Sequence, residues 1–309
     1  MFSKLNVKVL AIIFGVLLVI VVVSQISKRA GDERNFKDRL VEVDTSKISS
    51  IVLTPKGQSE TLTLKRSSSQ WELAFRNKTY KTDEGSVGSL LSALMDLKPE
   101  RIVADEKESW DRYDVSETKG THIRIREDSK DVADLVIGKV SYQQNYQGVT
   151  VYVRLTGEDD VYAVSGYAAL NLHQDLSSLR YKKLGRGAMN DITKVTFTYP
   201  DSSFTLARTD RGWNVNNVLA DSTKVYNFLQ TITSISGSTF ADDATPVNQP
   251  VYTVAVSTKT TGLFEINAFP ADSTNQFIVT SNVNPGARFK EARDGIINRM
   301  FVSKKYFEK

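Results

Sequence analysis

The chain has 309 residues, of which 40% are hydrophobic and 25% charged, as in globular rather than disordered proteins. It contains no cysteine, which excludes disulfide bonds, thiolate-bound zinc, iron–sulfur clusters and a lipid-modified cysteine. Residues 1–39 hold seven of the 40 basic and three of the 36 acidic side chains, which leaves 33 of each sign in residues 40–309. This neutrality argues against a nucleic-acid-binding surface, which would carry excess positive charge.

Fifteen consecutive residues without a polar side chain, 9–23, lie near the N-terminus. With their flanks they predict a transmembrane helix over residues 7–26, because about 20 helical residues cross the hydrocarbon core and Lys8 can extend to the interface. A cleaved signal peptide is the main alternative, and a buried soluble helix is a weaker one because the segment has no polar face.

The flanks of this segment predict an orientation. Residues 1–6 form a short tail that we expect in the cytoplasm, although positive charge lies on both sides of the segment. Residues 27–45 are charged and lack apolar periodicity, which predicts a juxtamembrane linker. The expected location is the bacterial inner membrane, with a single span and the soluble domain in the periplasm.

The following residues alternate between strand patterns and one helical pattern. Strands are predicted at 51–54, 61–65, from Trp71 onward, at 122–126, 133–138, 149–154 and 161–164. Apolar residues at helical spacing predict a helix over 86–97, and residues 167–184 also read as mostly helical. Residues 110–115 predict a short helical or irregular link.

The same order of patterns then begins again. Strands are predicted at 192–197, 204–208, 212–215, 252–257, 263–268 and 277–279, with a helix around Val225–Ile232. Trp71 and Trp213 occupy the same place in the two copies. The sequence therefore predicts an α+β fold in which a transmembrane helix precedes two duplicated β-rich domains, residues 46–186 and 187–309.

Catalytic signatures are missing from the sequence. It has two histidines, His122 and His173, and neither has a metal-binding partner at helical spacing. No nucleophile elbow, phosphate-binding loop, dinucleotide fingerprint or calcium loop occurs. We therefore expect no enzymatic activity, no cofactor and no metal, with a hydrolase that uses carboxylates as a remote alternative.

Two basic and aromatic runs close the two repeats. Their cations are Arg180, Lys182, Lys183, Lys304 and Lys305. These side chains are candidates for contact with a protein partner or with lipid headgroups. The simpler interpretation is that they lie at helix C-termini, where the helix dipole favours positive charge.

Several of these segments together resemble a known family. They are 110–115 (WDRYDV), 135–138 (LVIG), 151–154 (VYVR), 161–164 (VYAV) and 179–183 (LRYKK). The pattern resembles the envelope family called domain of unknown function 4340, over residues 45–185 and more weakly over 190–309. The resemblance implies one N-terminal membrane segment and an association with export ABC transporters of the gliding-motility type, and it supplies no catalytic residues.

Two functions are compatible with these observations. The first is a non-enzymatic, membrane-anchored accessory subunit of an ABC-type transport or gliding-motility-like envelope complex, with a transporter permease or its associated subunit as protein partner. The second is a free-standing extracytoplasmic module that binds a glycan or peptide in a cleft between the repeats, where Gly185 and Gly187 supply a flexible connection.

Overall fold

The structure is a computed structural model that describes residues 37–142, 148–246, 249–259, 262–271 and 275–309, together with Phe14, Leu17 and Leu18. The predicted transmembrane segment 7–26 otherwise lies outside the described residues. Among the helices that are described, none is both long enough and apolar enough to cross a membrane.

Nine strands form a first sheet. They are β1 Ser50–Thr54, β2 Leu62–Ser67, β3 Gln70–Phe75, β4 Lys78–Lys81, β5 Pro99–Ala104, β6 Thr121–Glu127, β7 Lys130–Tyr142, β8 Val149–Leu155 and β9 Val161–Ser165. β1, β2, β3 and β6 alternate between buried and more exposed residues, as in β1, where Ile51 and Leu53 are buried. This period of two gives these strands one apolar face, whereas β8 and β9 are buried at consecutive positions.

Nine further strands form a second sheet. They are β10 Ile192–Tyr199, β11 Ser202–Thr209, β12 Gly212–Val215, β13 Val218–Leu219, β14 Thr239–Phe240, β15 Tyr252–Thr258, β16 Leu263–Pro270, β17 Gln276–Ser281 and β18 Phe289–Ala292. Every registered pair in this sheet is antiparallel.

The two sheets have the same strand order. The first runs β4-β3-β2-β1-β6-β7-β8-β9-β5, and the second runs β13-β12-β11-β10-β15-β16-β17-β18-β14. Each strand of the first sheet therefore has a counterpart at the same position in the second. The mixed α+β class and the duplication of a β-rich unit, both predicted from the sequence, are confirmed.

Helices are fewer than strands among the described residues. The α-helices are α1 Glu84–Met95, α2 Trp110–Tyr113, α3 Leu176–Leu179, α4 Ser222–Ser234 and α5 Asn298–Met300. Single turns of 3₁₀ helix occur at Lys107–Ser109, Met189–Asp191 and Lys304–Phe307, with a longer one at Tyr167–Leu172, and a π-type turn spans Arg293–Ile297. The α1 and α4 helices lie at equivalent places in the two repeats, as the sequence predicted.

The segment predicted as a helix over 167–184 differs from the structure. It contains a 3₁₀ turn and the four-residue α3, after which Arg180 adopts an extended conformation. The Asp175 side chain and Ser178 cap α3 reciprocally at its start. Beyond Leu179 the backbone bonds to other segments, which replaces the expected helical hydrogen bonds.

Contacts divide the chain into two compact units that interleave along the sequence. The first comprises residues 1–59 and 89–173, and the second comprises residues 60–88 and 174–309. The core of the second unit contains a stacked aromatic group, in which the rings of Phe197 and Phe204 lie 4.3 Å apart and Phe307 packs on both. The predicted boundary at residues 186/187 stays a prediction.

The folded part of the chain begins before the first strand. Leu40 and Val41, inside the predicted linker 27–45, are both buried. The Leu40 N–H donates to the Leu97 carbonyl at 2.9 Å. Residues 40 and 41 therefore belong to the packed structure of the first unit.

Candidate functional site

The segment 179–184, which follows α3, runs along the outer edge of β4. The Asp83 N–H donates to the Leu179 carbonyl at 2.9 Å, and the Tyr181 N–H donates to the Lys81 carbonyl at 2.8 Å. Thr82 and Arg180 form an antiparallel bridge between these two bonds. The chain thus begins to add a further strand to β4, and this places Arg180 in the interior of the second unit.

Arg180 is 3% exposed, and its charge is matched by Asp242. Its Nη1 and Nη2 each donate to one Asp242 carboxylate oxygen, at 2.7 Å in both cases. The guanidinium carbon lies 4.0 Å from the centroid of the Tyr80 ring and 3.5 Å from that of Phe240. A buried arginine is stable when it is ion-paired and stacked on aromatic rings, and Arg180 has both kinds of partner.

The loop after β17 closes on the segment 179–184. The buried Asn284 donates from Nδ2 to the Tyr181 carbonyl at 2.7 Å. The Ser281 hydroxyl donates to the Leu184 carbonyl at 2.6 Å. Two side chains of this loop region therefore occupy carbonyls that would otherwise be open to a further backbone partner.

A cleft of about 310 Å³ lies beside these contacts, within the second unit. We call it the β4 cleft, and its lining residues are Thr79, Tyr80, Lys81, Arg180, Tyr181, Asn284, Pro285, Gly286 and Ala287. Two of the nine are cationic and none is acidic. The Lys81 ammonium lies 4.1 Å from the centroid of the Tyr181 ring.

The chemical groups in the β4 cleft are suited to binding. Burial, followed by the charge of Asp83, raises the pKa of Tyr181 above its ordinary value, so its phenol is neutral at physiological pH. The lining therefore presents an ammonium, two phenol rings and one exposed strand edge. Among the described residues, no group of three or more His, Asp or Glu is placed to hold a metal ion.

The five cations singled out in the sequence fall into two places. Arg180 and the half-buried Lys182 both approach the Phe240 ring, and Lys183 donates from Nζ to the Ser234 carbonyl at 3.0 Å. Lys304 and Lys305 are exposed in the C-terminal 3₁₀ turn and do not line the β4 cleft. Whether any of them contacts a partner or lipid stays a prediction.

Most residues of the site were not identified from the sequence, among them Tyr80, Lys81, Asp242 and Asn284. Asp242 gave a weak signal, because the segment Thr239–Asp242 matches 102–105 of the first repeat. Tyr80 and Asn284 gave none, since the former lies in a short strand without apolar alternation and the latter in a polar loop.

Two of the motifs that carry the family resemblance meet in the first unit. Arg154 is buried, with its guanidinium carbon 3.8 Å from the Trp110 ring centroid and its Nη2 2.6 Å from a Glu117 carboxylate oxygen. Arg154 Nε also donates to the Val115 carbonyl at 3.0 Å. These contacts bring segments 110–115 and 151–154 together around one buried cation.

Comparison with known proteins gives one match. No curated protein and no solved structure is similar to the chain. The model of the family described as "Domain of unknown function (DUF4340)" matches residues 75–254. This range begins in β3, ends in β15, and includes Tyr80, Arg180 and Asp242 of the site. Because it covers more than half of the 309 residues, the chain belongs to the DUF4340 family.

Proposed function

We propose that the protein is a non-enzymatic, single-pass accessory subunit of an ABC-type transport or gliding-motility-like envelope complex, which binds a protein partner through its extracytoplasmic region. Residues 7–26 would be the anchor in the bacterial inner membrane. The observation that carries the proposal is the burial of Leu40 and Val41, because it places the start of the packed structure close to the apolar segment.

The distance between anchor and fold is limited by the chain length. Residues 27–39, thirteen in number, separate the proposed anchor from Leu40. Fully extended, thirteen residues span at most about 45 Å. A domain on so short a tether reaches partners at the membrane surface, which favours a role beside a membrane complex over capture of a distant soluble ligand.

The charge distribution supports the same role. Residues 40–309 carry 33 basic and 33 acidic side chains, so the folded region has no overall attraction to anionic lipid or nucleic acid. Partner choice would then depend on local surfaces such as the β4 cleft.

The test is purification of the full-length protein in a mild detergent, followed by mass spectrometry of the proteins that accompany it. We expect stoichiometric recovery of transporter subunits. Two matched variants locate the contact: one carries an unrelated transmembrane helix in place of residues 7–26, and the other carries an unrelated domain in place of residues 40–309. A full-length protein that purifies alone would contradict the proposal.

A free-standing ligand-binding module is the second candidate, and the β4 cleft favours it. A volume of about 310 Å³ lies at the lower end of the range for small-ligand sites. Its lining combines residues of both sequence repeats, 79–81 and 180–181 from the first and 284–287 from the second. A rise in the unfolding temperature with envelope glycans or peptides, without any protein partner, would favour this candidate.

A further inference from the structure

The β4 strand has an outer edge that the chain covers only in part. The two-residue loop Arg76–Asn77 joins β3 to β4, and Phe75 pairs with Lys78 at the end of this hairpin. In a two-residue hairpin, the residues that close the loop exchange backbone hydrogen bonds. Hydrogen-bonded and non-bonded pairs then alternate along the strands, so Thr79 and Lys81 direct their backbone groups away from β3.

The observed bonds agree with this alternation. The Lys81 carbonyl accepts from the Tyr181 N–H, which lies on the outer side of β4. The added segment ends there, because the Tyr181 carbonyl is bound to Asn284 and the Lys182 carbonyl accepts from the Gly237 N–H. Within the described residues, the outward backbone groups of Thr79 have no backbone partner.

The space next to this open edge is the β4 cleft. Thr79 and Lys81 are exposed, while Tyr181 and Pro285 contribute apolar surface to the lining. Among the described residues Lys81 forms no ion pair within 4.0 Å, although Glu72 lies opposite it on β3, whereas the charge of Arg180 is matched by Asp242. The cleft therefore combines an open strand edge, apolar walls and one ammonium that is not held in an ion pair.

We propose that the β4 cleft accepts an extended segment of a partner protein, which adds as a strand at Thr79 and places an acidic side chain near Lys81. This inference rests on the proposed function, since it assumes that the folded region acts by binding a protein. Strand addition gives affinity through backbone hydrogen bonds and specificity through alternate side chains. The ladder that Tyr181 begins shows that this edge already supports such pairing.

The chain offers a matched control at the equivalent edge of the second sheet. β13 occupies the position of β4 in the strand order, and its two-residue loop Asn216–Asn217 is closed by the pair Val215 and Val218. Leu219 therefore directs its N–H outward in the same way as Thr79. Thr79→Pro and Leu219→Pro each remove one outward N–H from a terminal strand and leave the inward ladder intact.

The experiment measures binding of a fluorescent seven-residue peptide of alternating valine and glutamate to the full-length protein in detergent, by anisotropy. We expect saturable binding, a loss of about tenfold or more in Thr79→Pro, and an unchanged affinity in Leu219→Pro. Lys81→Gln should weaken binding about threefold or more, while Lys78→Gln, on the same strand but outside the cleft lining, should not.

Three results would overturn the proposal. The first is equal binding of a peptide methylated on alternate backbone nitrogens, which cannot form a ladder. The second is equal binding of the valine–lysine peptide, and the third is a wild-type protein with no saturable binding at about 1 mM peptide. Circular dichroism of each variant shows whether a proline unfolds the protein. If Thr79→Pro does so, Thr79→Trp takes its place, because it blocks the cleft without altering the backbone.

Recovery of partners from membranes and binding of the peptide test the accessory role and the β4 cleft separately. If Thr79→Pro and Lys81→Gln still recover the wild-type set of proteins from membranes, the accessory role stands and the β4 cleft is not its contact. If the wild-type protein recovers no partner yet binds the acidic peptide in the ladder-dependent way, the cleft is correct and the accessory role is wrong.

Discussion

Arg180 and Asp242 form a bidentate ion pair in which both nitrogen–oxygen distances are 2.7 Å. Arg76 and Glu60 form a pair of nearly the same geometry, at 2.7 and 2.8 Å, but there the arginine side chain is 69% exposed instead of 3%. These two arginine–carboxylate pairs thus share their geometry and differ in burial.

Arg180→Met should destabilise the protein by about 3 kcal/mol, because the largely buried Asp242 carboxylate then loses the cation that neutralises it. Arg76→Met should leave the unfolding temperature almost unchanged, since its pair is screened by water. Thermal unfolding followed by tryptophan fluorescence measures both. Equal losses in the two variants would show that burial does not set the strength of these pairs.

The double variant Arg180→Met/Asp242→Asn completes a cycle. Its destabilisation should be smaller than the sum for the two single variants. Each single variant leaves one charge without its partner, whereas the double variant removes both charges. Additive losses would mean that the aromatic rings of Tyr80 and Phe240, rather than the carboxylate, account for the stability that Arg180 provides.

Gly138→Ala should destabilise the first unit by about 3 kcal/mol. A Cβ at this position would lie 2.2 Å from the Tyr113 carbonyl oxygen, which belongs to the backbone and cannot move aside cheaply. Gly88→Ala is the matched control, because Gly88 lies in α1 and its Cβ would meet no atom within 4 Å. Helix propensity predicts that this control stabilises the protein by about 0.5–1 kcal/mol. A tolerated alanine at residue 138 would contradict the packing of segment 110–115 on β7.

Alkaline pH should weaken the fold through Tyr199, whose hydroxyl donates to the Val302 carbonyl at 2.6 Å. Burial, and secondarily the neighbouring Tyr252, raises the pKa of Tyr199 above the ordinary value of about 10. Because the folded state holds this proton more tightly, its contribution is fully present below about pH 10 and is lost as the pH rises towards the folded pKa.

Tyr199→Phe should therefore reduce the slope of the free energy of unfolding against pH above about pH 10 by about 1.4 kcal/mol per pH unit. The slope should not vanish, because burial also raises the pKa of Tyr162. Denaturant unfolding at several pH values measures it, with Tyr226→Phe as the control on the exposed face of α4. An unchanged slope in Tyr199→Phe would contradict the assignment.

Removal of residues 1–36 should leave the unfolding temperature of the folded region unchanged, whereas removal of residues 1–41 should lower its stability by about 3 kcal/mol. The second truncation deletes Leu40 and Val41, whose side chains are buried against the first unit. Differential scanning calorimetry of the two truncated chains distinguishes them. If both unfold at the same temperature, residues 40 and 41 do not belong to the packed structure, and the tether to the proposed anchor is longer than thirteen residues.

The alternation of apolar residues was sufficient to predict most strands and both long helices. It did not identify β5 or the two-residue strands β13 and β14. It also failed for β4, where Lys78–Lys81 has three exposed residues out of four, and for β18, where the core-facing Glu291 interrupts the apolar pattern. Glu291 is tolerated there because it accepts from the Ser238 N–H at 2.6 Å, a partner 53 residues away that no local pattern reveals.

The candidate site was harder to predict for the same reason. Arg180 lies in a basic run that suggests a solvated surface, and its burial depends on Asp242, 62 residues later, and on the Tyr80 and Phe240 rings. Asn284, which ends the ladder at Tyr181, lies 103 residues from that carbonyl. Contacts of this range follow from the tertiary fold, whereas periodicity reports only on neighbours along the chain.

The interleaving of the two compact units has a consequence for synthesis on the ribosome. Residues 60–88 belong with residues 174–309, and the core of that unit includes Phe307, which is fully buried. At about 5–20 residues per second, translation from residue 60 to residue 307 takes roughly 10–50 s. Strands β2 to β4 therefore emerge long before their unit can be completed, and a stalled or truncated product would leave them without the packing partners that residues 174–309 supply.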